Sequence, residues 1–376
     1  MIRRGPAPLL DAEDDHSLRL RRDVTVIPFD DGLVVLDGTE GRLLAYDAAA
    51  RALWERRGSA PAARALAARW AADGLTDAGP APDEAGAAAD RRGPATAHAG
   101  WADEWCCTVG GLAIRFAEQH PRGAAILRNL FAHLETPQVD AALHFTIEHP
   151  FRHEAVLFEN GREIARTHDY GVILGALYQA LLERLRPGTR WRALIHAGAA
   201  ARHGQAIGLV GRSGSGKSTL LAALIARGFD YLADDLLAVS TEGRAVPWPM
   251  PLSIKEGSWP VLAPVYPELM TRPIYPTKGV EARLLMPPDE CWRMPPLPLS
   301  ALVFPTYAPG SALRLTRLSP LGALARLLED RVWIGYPLDE ASVRAFLLWL
   351  EATPCHALRH GGNGDAERAL CRLTGQ

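Results

Sequence analysis

Residues 211–218 read Gly211-Arg212-Ser213-Gly214-Ser215-Gly216-Lys217-Ser218 and satisfy the pattern G-x-x-x-x-G-K-[ST] in full. The apolar run AIGLV precedes them and TLLAALIARG follows, so the segment is expected to be a strand, a glycine-rich loop and a helix. Three glycines let backbone N–H groups close around phosphate oxygens, a lysine reaches the terminal phosphates, and the hydroxyl after it can complete the shell of a Mg²⁺ ion. The helix that follows points its positive end at the same anions. From average residue frequencies, the four fixed positions would arise by chance in a chain of this length roughly one time in a hundred. Gly211, Arg212, Ser213, Gly214, Ser215, Gly216, Lys217, Ser218 and Thr219 are therefore the expected ATP-binding set.

A second chemical feature follows the helix. In Gly228-Phe229-Asp230-Tyr231-Leu232-Ala233-Asp234-Asp235-Leu236 an apolar strand delivers two adjacent carboxylates. Phosphoryl transfer uses such a pair, one carboxylate for Mg²⁺ and one to accept the proton of an attacking hydroxyl. Neighbours on a strand face opposite ways, so either the two divide these roles or the strand is already turning there.

Length and composition narrow the classes. At 376 residues the chain has room for two or three cores. A net charge of −2 argues against a nucleic-acid partner, and no apolar run is long enough to span a membrane. The start, MIRRGPAPLLDAEDD, turns acidic where a signal peptide needs its apolar core, so a cytoplasmic location is expected. Five cysteines, Cys106 and Cys107 adjacent and the other three scattered, make neither a disulfide framework nor a metal-ligand pattern, and the twelve histidines show no ligand spacing.

In chain order, residues 1–16 read as a mobile tail. Val24 to Ile27, Leu33 to Leu36 and Leu43 to Tyr46 are expected strands separated by Asp30-Asp31-Gly32 and by Gly38 to Gly41. Asp47 is a candidate N-cap for a helix with Ala50, Leu53 and Trp54 on its apolar face, closed by Gly58; Pro61 opens another with Leu66 and Trp70. Three strands followed by helices make a winged-helix-like layout. Further on, WCCTVGGLAIRFA, ALHFTIEH and EAVLFENGREIARTH read as strands with a hairpin at Asn160-Gly161. An amphipathic helix with Val172, Leu174, Leu177, Leu181 and Leu185 ends at Pro187-Gly188. Trp191 to Ile195 is a strand ending at His196, ALVFPTY another, and LSPLGALARLLEDR and DEASVRAFLLWLEAT are helices.

The meander DVTVIPFDDGLVVLDGTEGRLLAYD with the helix AAARALWERR resembles the PqqD-like family of peptide-recognition domains, also called RiPP recognition elements. The resemblance implies that a leader peptide adds as a strand beside the third strand. The family's third helix has no apolar counterpart here: GLTDAGPAPDEAGAAADRRGPATAHAG reads as a linker, which leaves a domain that merely docks on the rest of the chain as the other reading.

The loop GRSGSGKS, the helix end Arg227-Gly228 leading to Ala233-Asp234-Asp235, and His196 in LIHAG together resemble HPr kinase/phosphorylase and its relatives among peptide-tailoring kinases. His196 stands 21 residues before Lys217, and Asp234 stands 17 after it. The resemblance implies Asp234 as base toward the substrate hydroxyl, His196 beside it, Asp235 and Ser218 serving the metal, and a later acid and basic loop that correspond to Glu256 with Lys255, and to Lys278 with Arg283. The implied fold is an α/β and α+β multidomain chain: a winged-helix-like domain over 17–74, a linker over 75–100, a small α/β region over 101–190, and a P-loop HPr-kinase-like catalytic domain over 191–376. The implied function is an ATP- and Mg²⁺-dependent kinase acting on a precursor peptide or small protein, with homo-oligomerisation left open by the relatives' tendency to assemble. A nucleotide-dependent peptide-binding scaffold and a nucleotidyltransferase stay open beside it. An ABC-type ATPase does not fit, because no LSGGQ-like segment follows the loop.

Overall fold

The computed structural model describes residues 20–38, 41–73, 75–76, 100–131, 134–137, 141–151, 154–188, 190–212, 214–248, 250–277, 280–286, 291, 294–330, 332–334 and 338–375. The expected tail and nearly all of the expected linker lie outside them. The fold is mixed α/β and divides into two compact units. Among the described residues the first comprises 20–76, 191–272 and 284–375, and the second 100–190 and 273–283.

The first unit opens with an antiparallel meander, Val24–Phe29, Gly32–Asp37 and Arg42–Tyr46, in that spatial order. Asp47 caps the helix Ala48–Glu55 by accepting from Ala50 N–H at 3.1 Å, as its position before the apolar run predicts. That helix stops at Glu55, three residues before Gly58. The next helix, Ala60–Ala71, carries Leu66 and Trp70, which are fully buried against Leu33, Val35 and Tyr46. Burying each such large side chain contributes about 2–3 kcal/mol.

The rest of this unit is built on a ten-stranded sheet among the described residues. Its order runs Asp230–Ala233, Ala197–Arg202, Gln205–Val210, Leu297–Tyr307, Arg244–Val246, Leu237–Ser240, Trp191–Ile195 and Val332–Trp333. Cys355–His360 also pairs with Leu297–Tyr307, and Arg314–Arg317 pairs with Cys355–His360. Three of these strands are parallel neighbours: the loop strand Gln205–Val210, the long strand Leu297–Tyr307 and the strand Cys355–His360. The strand Ala197–Arg202 has no large apolar side chain, which hides it from a search for β-branched runs. It fits because Ala199, Ala200 and Ala201 are fully buried where bulk would not pack. The loop helix Lys217–Ile225 buries Leu220, Leu221 and Leu224 in the same core as Phe229, Ile207 and Leu370.

The second unit holds a six-stranded sheet that includes Asp103–Val109, Leu112–Glu118, Leu143–Phe151, Glu154–Glu159 and Arg162–Thr167. Asn160 and Gly161 both take positive φ, 48° and 79°, and close the hairpin that their order in the sequence signals. The helix Tyr170–Leu185 follows; Ile173, not Val172, joins Leu174, Leu177 and Leu181 in the core. A helix over Pro121–Phe131, which the sequence reading does not anticipate, buries Leu127 and Phe131.

Candidate functional site

The loop strand ends at Val210, and the chain turns through Gly211, Gly214 and Gly216, with φ of 157°, 89° and 91°. An L-residue at Gly214 or Gly216 would be strained, so two of the three glycines answer to backbone geometry. Gly216 is the N-cap of the loop helix and gives it no side-chain hydrogen bond. The first-turn N–H groups of that helix are thus left for an anion. The buried Ser215 hydroxyl has no hydrogen-bond partner, a second polar group suited to a phosphate oxygen. Lys217 is 6% exposed; its ammonium folds back over the loop and donates to the carbonyl oxygens of Gly211 and, at 3.4 Å, Arg212. Burial pulls its pKa down, and Asp234, Asp330 and Asp235 oppose that shift, in that order. Ser213 lies outside the described residues.

The strand Asp230–Ala233 ends just before the carboxylate pair, and Asp235 takes a left-handed φ of 62°. The strand is therefore turning where the two acids stand, and they diverge: Asp234 is 1% exposed, whereas the side chain of Asp235 is 55% exposed. Ser218 Oγ donates to Asp234 Oδ2 at 2.9 Å, and Asp234 Oδ1 is buried without a partner. Gly198 makes room for it, since a Cβ there would lie 3.3 Å from Asp234 Oδ1 and 2.8 Å from Leu221 Cδ2. Desolvation first, and the charge of Asp235 second, push the Asp234 carboxyl up to about 7 against the lowering pull of Ser218 and Lys217.

His196 is the bend residue between Trp191–Ile195 and Ala197–Arg202, where the chain crosses from one part of the sheet to another. Its Nε2 lies 3.8 Å from Asp235 Oδ1 and 4.0 Å from Asp330 Oδ2. These are ion-pair distances, beyond hydrogen-bond reach. Asp330 stands just past the helix Pro320–Leu328, and its neighbour Glu329 approaches Arg212 of the loop at 3.6 Å. Nothing in LLEDR marks Asp330 as different from any acid at a helix end, so only the fold brings it here.

Thr219 Oγ1 and Ser258 Oγ share a hydrogen bond of 2.5 Å. That contact pins the short strand Leu252–Lys255 and the turn Glu256–Ser258 to the loop helix, and Lys255 is close enough to act electrostatically on Lys217. Glu256 is exposed on this turn. Arg283 belongs to the second unit, on the strand Val280–Leu285, and Lys278 lies outside the described residues.

The loop, Lys217, Ser218, the Asp234–Asp235 turn, His196 and Asp330 thus converge, and the arrangement can hold phosphate, present oxygen donors to a hard cation and accept a proton. Among the described residues no three His, Cys, Asp or Glu side chains form a ready metal cage. Mg²⁺ does not ask for one, because it usually keeps waters and takes one or two carboxylates plus substrate phosphates. Among the described residues no helix is long and apolar enough to cross a membrane. The chain matches no family model and no curated protein.

Proposed function

We propose that this protein is an ATP- and Mg²⁺-dependent kinase of the HPr-kinase-related kind, phosphorylating a serine hydroxyl on a ribosomally made precursor peptide or small protein. The observation that carries the reading is Asp234: a buried carboxylate, held by Ser218 from the first turn of the loop helix and with one oxygen left unpartnered. The free oxygen is the feature that a base toward a substrate hydroxyl requires.

In this reading Lys217 and the loop N–H groups hold the phosphates, and Ser218, Asp235 and Glu256 supply oxygens to Mg²⁺. The metal's contribution is to neutralise charge on the phosphate oxygens. Asp234 takes the proton as the substrate oxygen forms its bond to the γ-phosphorus; the bond to the β-bridging oxygen breaks, and ADP leaves with its electron pair. A carboxyl whose pKa burial has raised toward neutrality is matched to that work. His196 stands beside Asp235 at this site, and Lys255 adds positive charge near the loop lysine. The meander and its two helices would capture a leader along Arg42–Tyr46, the outer strand of the three-stranded sheet, and so raise the local substrate concentration.

Product analysis tests the reaction class. With peptide, Mg²⁺ and ATP labelled at the γ-phosphate, label should pass to the peptide and ADP should accumulate. AMP with pyrophosphate would instead mean nucleotidyl transfer, and no nucleotide product would refute catalysis.

A further inference from the structure

Three parallel strands lie side by side and finish at one edge of the sheet: Gln205–Val210, Leu297–Tyr307 and Cys355–His360. The glycine-rich loop leaves from the first, so the ends of the other two flank it. The approach is close. A Cβ built on Gly211 would lie 3.9 Å from Pro305 O, and one on Gly216 would lie 3.5 Å from Tyr307 Cβ.

Tyr307 closes a strand whose residues Ala301 to Pro305 are buried, yet it is itself 51% exposed. Tyr307 and His360 are direct partners in the parallel register, which puts both side chains on one face; their ring centroids are 5.6 Å apart at 56°. His360 is 1% exposed, so it backs the tyrosine ring from inside and limits how the ring can turn. Two buried polar atoms here have no hydrogen-bond partner, His360 Nε2 and Ser311 Oγ. The loops after the two strands are in backbone contact: Ala308 N–H donates to His360 O at 2.9 Å, and a Cβ on Gly361 would meet Ser311 O at 2.6 Å. An isolated exposed tyrosine needs no explanation. This one has a buried aromatic packed against its ring and the glycine-rich loop beside it.

We propose that Tyr307 is the stacking platform for the base of a purine nucleoside triphosphate whose phosphates lie in the loop 211–216, and that His360 fixes the platform's orientation. A purine presents the larger π-face to such a platform, a modest preference over a pyrimidine. The proposal rests on the nucleotide reading above, and its test separates the two.

The test is calorimetric titration of the full chain with Mg²⁺ and ATP, CTP or inorganic tripolyphosphate, for wild type, Tyr307→Ala and Tyr307→Phe. Tyr307→Ala should weaken ATP binding roughly tenfold, weaken CTP binding less, and leave tripolyphosphate unchanged; Tyr307→Phe should bind ATP as wild type does. Equal ATP affinity in Tyr307→Ala, or equal losses for ATP and tripolyphosphate, overturns the base subsite while the loop reading stands. Wild type that binds tripolyphosphate and ATP equally well also overturns it. Wild type that binds neither refutes the nucleotide reading and the subsite with it.

Discussion

Asp30 Oδ2 accepts a hydrogen bond from the backbone N–H of Leu321 at 3.0 Å, across 291 positions of sequence. Asp30 sits in the first turn of the N-terminal meander, and Leu321 opens the helix Pro320–Leu328, whose far end delivers Glu329 to Arg212 and Asp330 to His196. Ser319 Oγ accepts from Gly322 N–H at 3.1 Å, so two side chains cap one helix start. Leu321 also packs under Gly32, where a Cβ would lie 2.5 Å from Leu321 Cδ2 and 2.2 Å from Tyr46 O.

Asp30→Ala should cost about 1 kcal/mol of stability, the usual loss for a helix cap. Urea unfolding of the full chain measures it. A midpoint equal to wild type would show that Ser319 caps the helix alone.

Asp330→Asn removes one of the two carboxylates at His196 and keeps the shape. Phosphotransfer should fall about tenfold, or ~1.4 kcal/mol in the barrier, with an unchanged melting temperature. In a His196→Gln background the same change should have a smaller further effect, the remainder being the pull of Asp330 on Lys217. Additive losses would contradict that link.

How much of this was legible beforehand follows from how local each signal is. Gly214 and Gly216, the Asn160-Gly161 hairpin and the Asp47 cap are set by neighbouring residues, and the structure has them where the sequence placed them. The sequence allows either a turn at Asp234-Asp235 or a division of roles across the strand, and the left-handed Asp235 decides for the turn. Asp330 and Ser258 reach the loop only through tertiary packing, so no spacing rule reveals them. The alanine strand 197–202 was invisible for a different reason, since its sequence favours helix by propensity and becomes a strand because only small side chains fit between its neighbours.

In the second unit, Glu118 is fully buried and accepts from Tyr170 OH at 2.7 Å and His120 N–H at 2.9 Å, with His149 Nε2 at 2.8 Å. Glu118→Ala should cost about 3 kcal/mol, because it leaves buried polar groups without their acceptor, and Glu118→Gln should cost less. Thermal unfolding distinguishes them; equal melting points for Ala and wild type would contradict the network's structural role.

Burial pulls the His360 pKa below its ordinary value, and His356 is shifted the same way. The sign follows directly. Below about pH 6.5 the unfolded chain takes up protons that the folded chain resists, so stability is full above that pH and falls as pH drops toward the folded pKa. His360→Gln should flatten the pH dependence of the unfolding free energy below pH 6.5, and an unaltered slope would mean that His360 binds its proton equally well folded and unfolded.

The central claim, transfer of a phosphoryl group by a site built on Ser218 and Asp234, is tested most directly by intact-mass analysis of a serine-containing precursor peptide encoded beside this protein. The peptide is incubated with ATP, Mg²⁺ and either wild type or Asp234→Asn. A gain of one phosphoryl group with wild type, lost with Asp234→Asn, is the predicted result. An unchanged peptide mass, with ATP and peptide both shown to bind, would contradict it.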